Sequence, residues 1–214
     1  TVTTPAMVRP MQHGADIVIN SITKFLAGHS DVTLGYVAAR DPGLRTAIYD
    51  AAVTWGTTPS PFDCWLAERG LHTFDLRFEK AQATAAALAD ALAGRDGIRQ
   101  VIYPGRADHP HHNRAGTLFG GQFGNMLSFE IEGGRDEVNS FVMNAGGIPF
   151  APTLGDVGCT LSHPASSSHR ALTTEGRAAL GISEGYFRLS VGIEPPELVL
   201  AELDAALAAV RGES

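Results

Sequence analysis

An α/β fold that passes into a smaller α+β domain is predicted by three features of this 214-residue sequence. The first is the β-branched run Ala15-Asp16-Ile17-Val18-Ile19-Asn20, which suits a strand buried on both faces of a helix-covered sheet. The second is a helical region opening at Ser60-Pro61. It breaks at Gly70 and continues through the alanine-rich residues 79–93 to Gly94. A helical stretch of that length commonly carries a chain from one domain to the next. The third is the mixed order of strands and helices beyond it. The boundary is expected near residue 75, with residues 1–75 in the α/β domain and 76–214 in the smaller one.

The remaining elements follow in order. Residues 31–39 (DVTLGYVAA) read as a strand, with Gly28 and Gly35 permitting close backbone approach. Asp41-Pro42 starts a helix with a capping carboxylate and a proline in the first turn. Residues 101–103 and 126–132 read as strands and 136–144 as a helix. Residues 187–193 read as a strand and 196–210 as a closing amphipathic helix. There is no internal repeat and no low-complexity tract.

Apolar content of 44% and charged content of 18% are those of an ordinary globular chain. A net charge of −7 speaks against a nucleic-acid partner, which needs a basic face. No apolar run approaches the roughly 20 residues of a membrane span. Cys64 and Cys159 form neither a CxxC pair nor a disulfide framework, a usage that fits a reducing cytoplasm. Cys64, beside Trp65 in a helical context, reads as core. The opening Thr1-Val2-Thr3-Thr4-Pro5 lacks an initiator Met and enters what reads as a strand-to-loop transition, so a piece of a longer polypeptide is expected.

Chemistry is concentrated around Lys24, one of only two lysines. It closes the run Asn20-Ser21-Ile22-Thr23-Lys24 and is followed by Gly28-His29-Ser30-Asp31. In an extended stretch Ser21 and Thr23 project to one side. Two hydroxyls there can donate to phosphate oxygens while the neighbouring amine forms an imine. Pyridoxal phosphate carries its aldehyde and phosphomethyl groups on adjacent ring carbons, so amine and phosphate ligands must lie close together. Apolar surroundings favour the unprotonated amine that an imine requires. A surface lysine ending a strand is the alternative that these residues alone leave open.

A series of further motifs spans nearly the whole chain. It comprises Arg9-Pro10…Gly14-Ala15-Asp16, Ser21-x-Thr23-Lys24-x3-Gly28-His29-Ser30-Asp31 and Arg69-Gly70-Leu71-x-Thr73. It continues with Tyr103-Pro104-Gly105…His109-Pro110-x-His112, Met126-Leu127-Ser128-Phe129-Glu130, His163-Pro164-Ala165-Ser166 and Arg188-Leu189-Ser190-Val191-Gly192-Ile193-Glu194. In order and spacing the chain resembles the Cys/Met metabolism family of pyridoxal-phosphate enzymes. That family includes cystathionine γ-synthase, cystathionine γ-lyase, methionine γ-lyase and O-acetylhomoserine sulfhydrylase. The resemblance implies a fold-type I transferase architecture, here the end of the large cofactor domain plus the smaller C-terminal domain.

It also implies roles. Lys24 would hold the cofactor through an imine and later take the substrate α-proton, Ser21 and Thr23 would bind the phosphate, and Arg188 would grip the substrate α-carboxylate. Independently, an arginine at the entry to the apolar Phe187-Arg188-Leu189 stretch must be paired or exposed, and a guanidinium suits a carboxylate. Thr153 stands where the family usually has a serine whose stretch helps fix the carboxylate. Pro152 occupies a position that is glutamate in γ-lyases favouring a distal amino group. Its identity points away from cystathionine and toward γ- or β-elimination of a methionine- or homocysteine-type substrate, giving a 2-oxo acid, ammonia and a thiol. The alternatives are γ-replacement on an O-acylhomoserine and a non-catalytic assembly partner.

His109, His111 and His112 put three imidazoles within four residues. Pro110 stiffens the loop and no carboxylate or thiolate completes a familiar ligand spacing, so a structural loop and no metal are expected. His29 lies close to Lys24 in sequence, as a packing or site residue. The family's full chain is nearly twice this length. The resemblance places the glycine-led phosphate loop, a ring-stacking tyrosine and the pyridine-pairing aspartate in an N-terminal half that precedes this segment. The segment alone is therefore expected to be inactive. The implied partners are that N-terminal half, the amino-acid substrate and further copies of the enzyme, in a tetramer built from dimers.

Overall fold

A computed structural model describes residues 1–212 and divides their strands between two antiparallel sheets. A short helix α1 (Thr4–Met7) and a 3₁₀ turn at Pro10–His13 lead into β1 (Ile17–Ser21), which pairs with β2 (Gly35–Ala39). Ile19 lies opposite Val37 and Asn20 opposite Tyr36. The expectation that this run is buried on both faces is not met. Ile17 and Val37 are exposed and Ile19 is 75% accessible. Within the described residues the run forms only a two-stranded ribbon, without the flanking strands that carry helices over both faces of a wider sheet, so its apolar faces lie open here.

Helix α2 (Pro42–Trp55) follows as the cap predicts: the Asp41 carboxylate accepts from the Leu44 N–H at 2.8 Å. Ser60 likewise caps α3 (Pro61–Leu71), and α4 (Phe74–Leu92) completes the long helical stretch. The break falls at His72-Thr73 rather than at Gly70. Gly70 serves contact instead, because a Cβ there would lie 2.4 Å from the Ala27 carbonyl oxygen. Cys64 on α3 is exposed, contrary to the core reading, and its neighbours Phe62 and Trp65 stack on each other in the open at 6.0 Å. The buried face of α3 consists of Ala67 and Gly70, and Cys64, one turn earlier, extends past that contact. Cys159 is the buried thiol.

The second sheet has the order β3-β4-β6-β5, built from β3 (Ile98–Ile102), β4 (Met126–Ile131), β5 (Thr160–Ser162) and β6 (Tyr186–Ser190). Helix α5 (His112–Leu118) precedes β4, and α6 (Arg135–Asn144), α7 (Thr174–Ala179) and α8 (Pro196–Arg211) complete the chain order. Beyond Ser190 the predicted strand stops being laddered, and Val191 and Ile193 donate instead to the carbonyls of Asn125 and Val157. Phe129, Phe141, Phe187, Leu88, Leu92, Leu189 and Leu203 are fully buried where α4, α6 and α8 meet the sheet. Each such side chain contributes about 1.5–3 kcal/mol of transfer free energy. A second, smaller cluster of Met7, Phe25, Leu26, Phe74, Phe78 and Ala81 packs the start of α4 under the turn that follows β1.

Candidate active site

Lys24 projects from a wide turn of π type, Ile22–Leu26, that begins where β1 ends. The Ala27 N–H donates to the Ile22 carbonyl at 2.9 Å, and Lys24 leaves helical geometry with φ −84° and ψ −134°. Thr23 anchors the turn to the start of the return strand. Its N–H donates to the Leu34 carbonyl, and its hydroxyl both accepts from Leu34 N–H at 2.8 Å and donates to Leu34 O at 3.1 Å. The hydroxyl proton of Thr23 is thus engaged, and donation to a phosphate requires it to turn away from Leu34. Ser21 and Thr23 line a shallow recess with Thr1, Asn20, Thr33 and Gly35.

From the far half of the chain, the loop 152–157 meets this turn. Lys24 Nζ donates to Thr153 Oγ1 at 3.0 Å, and Thr153's own carbonyl accepts from Arg188 Nη2 at 3.0 Å. Arg188 lies on β6 between Ser128 of β4 and Ser162 of β5. Burial moves its guanidinium below its ordinary proton affinity, partly offset by Tyr186, and its Nε is buried with no hydrogen-bond partner. Among the described residues no carboxylate pairs with it, so a positively charged donor stands ready for an acceptor. Pro152, the residue before Thr153, is exposed.

The loop is held by close backbone packing. Gly155 has φ +78°, and a Cβ there would sit 2.5 Å from the Phe25 nitrogen. Its N–H donates to Ser190 Oγ at 2.9 Å, while the Val157 N–H donates to the Gly28 carbonyl at 2.7 Å. Ser30, itself at φ +54°, donates its hydroxyl to Asp156. His29 turns back on its own segment, its Nδ1 bonding the Ala27 carbonyl at 2.7 Å.

The structure therefore brings Lys24, Thr153 and Arg188 into one connected set, with Ser21 and Thr23 at the foot of the Lys24 turn. The His111 backbone N–H donates to His109 Nδ1 at 3.2 Å, and His112 bonds the Pro104 carbonyl and stacks on Phe123 at 5.1 Å. The sequence reading missed Arg77. This guanidinium is 5% exposed and reaches the carbonyls of Phe25, Leu26 and Gly70. Its signal was available: Arg77 shares a helical face with Phe74, Phe78 and Ala81, and a charge in an apolar stripe marks a buried, bonded group.

Comparison with known proteins fixes the context. The model of the Cys/Met metabolism PLP-dependent enzymes matches residues 1–208. The chain belongs to that family. Among the relatives of this Cys/Met metabolism chain, the cystathionine β-lyase of Bacillus subtilis is 41% identical over 207 residues, 97% of this chain and 53% of the relative. The cystathionine γ-lyase of Dictyostelium discoideum is 38% identical over the same shares. The crystal structure of cystathionine γ-synthase from Xanthomonas oryzae pv. oryzae superposes with a TM-score of 0.92 at 44% identity, covering 100% of this chain and 55% of that one. The Cys/Met metabolism chain thus spans about half the length of the curated relatives it matches.

The residues present fit the pyridoxal phosphate of the family. Lys24 offers an amine whose hydrogen bond is to a hydroxyl rather than to a carboxylate, and two further hydroxyls precede it within three residues.

Proposed function

We propose that this chain is part of a pyridoxal-phosphate enzyme that eliminates a thiol from a methionine- or homocysteine-type amino acid, yielding a 2-oxo acid and ammonia. The observation carrying the reading is the linkage Lys24–Thr153–Arg188, which sets an amine and an incompletely bonded guanidinium at two ends of one residue. Bound pyridoxal phosphate supplies the electron sink that α-carbanion chemistry requires. In this reading Lys24 holds the cofactor, and Ser21 and Thr23 take its phosphate. Arg188 grips the α-carboxylate and thereby points the Cα–H toward Lys24 Nζ, which accepts the proton. Thr153 steers the amine through its hydroxyl.

Pro152, exposed and without charge, offers no partner for a distal ammonium, which favours a substrate with an apolar thioether or thiol end. A second reading, γ-replacement on an O-acylhomoserine, is favoured by the likeness to the Xanthomonas cystathionine γ-synthase. Residues 1–75 are read as belonging to the cofactor domain and 76–214 as the smaller domain; each part has its own apolar cluster, and that of the first reaches across the boundary to Phe78 and Ala81 of α4. The working enzyme includes the N-terminal half of the family's chain, assembles as a tetramer built from dimers and acts in the cytoplasm. Two unpaired cysteines support that compartment, and no helix of the described residues is long and apolar enough to cross a membrane.

The test is made on the full-length protein. It should show a visible absorbance band that borohydride removes and that Lys24→Ala lacks. It should also release 2-oxo acid from methionine or homocysteine faster than from cystathionine. Cystathionine as the best substrate would overturn the inference from Pro152. Sulfide incorporation into O-acetylhomoserine without 2-oxo acid release would select the second reading.

A further inference from the structure

We propose that Arg77 is the positioning residue for Lys24, a role that rests on reading Lys24 as the cofactor-holding amine. Arg77 sits on α4 and makes no salt bridge among the described residues; the Asp156 carboxylate acts on its charge only through space. Its planar fork is spent almost entirely on backbone. Nη1 donates to Phe25 O at 2.8 Å, and Nη2 donates to Leu26 O at 3.0 Å and to Gly70 O at 2.8 Å. Nε donates to Thr73 Oγ1, one turn earlier, at 3.0 Å. Burying a charge against neutral acceptors is costly, and a well-packed apolar residue fills a helix face more cheaply. The placement makes sense through what it bonds.

Phe25 and Leu26 are the two residues directly after Lys24. The turn there closes through Ala27 and Gly28, whose N–H groups go back to Ile22 and Lys24. The carbonyls of Phe25 and Leu26 receive the guanidinium of Arg77 instead. One rigid group therefore fixes two consecutive peptide planes next to a residue whose own backbone departs from the helix. The third carbonyl, Gly70 O, lies in the last turn of α3, so the same fork ties the Lys24 turn to both α3 and α4. Gly28 completes the fit, because a Cβ on it would stand 2.1 Å from Arg77 Nη1. The Phe25 ring covers the guanidinium from another side, with its centroid 5.6 Å from Cζ. A lysine keeps the charge but cannot span these carbonyls at once.

The experiment uses the full-length protein with Arg77→Lys and, as a milder variant, Thr73→Val, which removes the hydroxyl acceptor and leaves the guanidinium. Three quantities are read: visible circular dichroism per bound pyridoxal phosphate, kcat and KM for the amino-acid substrate, and the far-UV melting curve. Arg77→Lys is expected to bind cofactor, lose most of the visible dichroism and drop kcat by about 100-fold, as for a misplaced reacting group, with KM little changed. Thr73→Val should move the same way by less. Arg77→Lys with native visible dichroism and kcat overturns the proposal. A variant that fails to fold, or that melts early without altering dichroism or kcat below the transition, overturns it too, since the role is then stability alone. If the unsubstituted protein shows no borohydride-sensitive band, the assignment of Lys24 falls first, an outcome separate from a native-like Arg77→Lys.

Discussion

Lys24 Nζ and Thr153 Oγ1 are 3.0 Å apart although 129 positions separate them in the chain. A net hydrogen bond of this kind is worth about 1 kcal/mol. Thr153→Ala in the full-length enzyme is therefore expected to lower kcat/KM by roughly fivefold to tenfold. The substrate carboxylate contact proposed for Arg188 should survive, because the Arg188 bond goes to the backbone oxygen that alanine retains. Thr153→Ser should restore most of the loss. Steady-state kinetics on the three proteins checks this, and an alanine variant equal to the parent would refute it.

Arg188 is expected to carry more. In the proposed reading its removal takes away a half-buried charge that would face the substrate anion, a loss of about 3 kcal/mol or roughly 150-fold in kcat/KM. Arg188→Lys keeps the charge without the fork and should recover only part of it. Spectral titration of the cofactor band with an unreactive amino acid would measure the binding share directly.

Gly155→Ala tests the clamp between the two halves. The residue sits at φ +78° and its new methyl would meet the Phe25 nitrogen at 2.5 Å. Strain and overlap together should cost about 2 kcal/mol or more. A urea melt of the full-length protein should show a lowered midpoint. An unchanged midpoint would mean that the loop 152–157 moves freely off the Lys24 turn.

The two thiols should behave differently. Burial, reinforced by the nearby Glu194 carboxylate, pushes Cys159 up from 9.0 to about 12. Its Sγ donates to Glu194 Oε2 and accepts the Gly192 N–H, each at 3.2 Å. At pH 8 an alkylating reagent should leave Cys159 unmodified until denaturant is added. The raised value favours the folded state while the thiol keeps its proton. That contribution is fully present below about pH 9 and is lost as the pH climbs toward 12. Peptide mapping after native and denatured alkylation, and stability measured from pH 8 to 10.5, check both statements.

Local chemistry made several elements readable. The caps Asp41 and Ser60 start their helices where the sequence places them, and the closing helix runs Pro196–Arg211 against an expected 196–210. Lys24, Thr153 and Arg188 were each legible through resemblance, but no spacing rule joins residues so far apart. Only the fold puts one threonine between the other two. Ile19 and Cys64 read as buried from their apolar context, whereas among the described residues no neighbour covers them. Strand β5 escaped because three residues are too few to show a period. Gly70 looked like a helix breaker, yet its missing side chain serves the approach of Ala27.

Thr153 works as a ruler. Its hydroxyl and its carbonyl oxygen belong to one residue, so bond lengths and two torsions, χ1 and the backbone ψ, set their separation. The distance between the amine and the guanidinium is thereby referred to covalent geometry rather than to how tightly the two parts of the chain are packed. Should β6 and the Lys24 turn drift relative to each other, this residue is where the drift must be absorbed or resisted. The gauge of the site is a single amino acid.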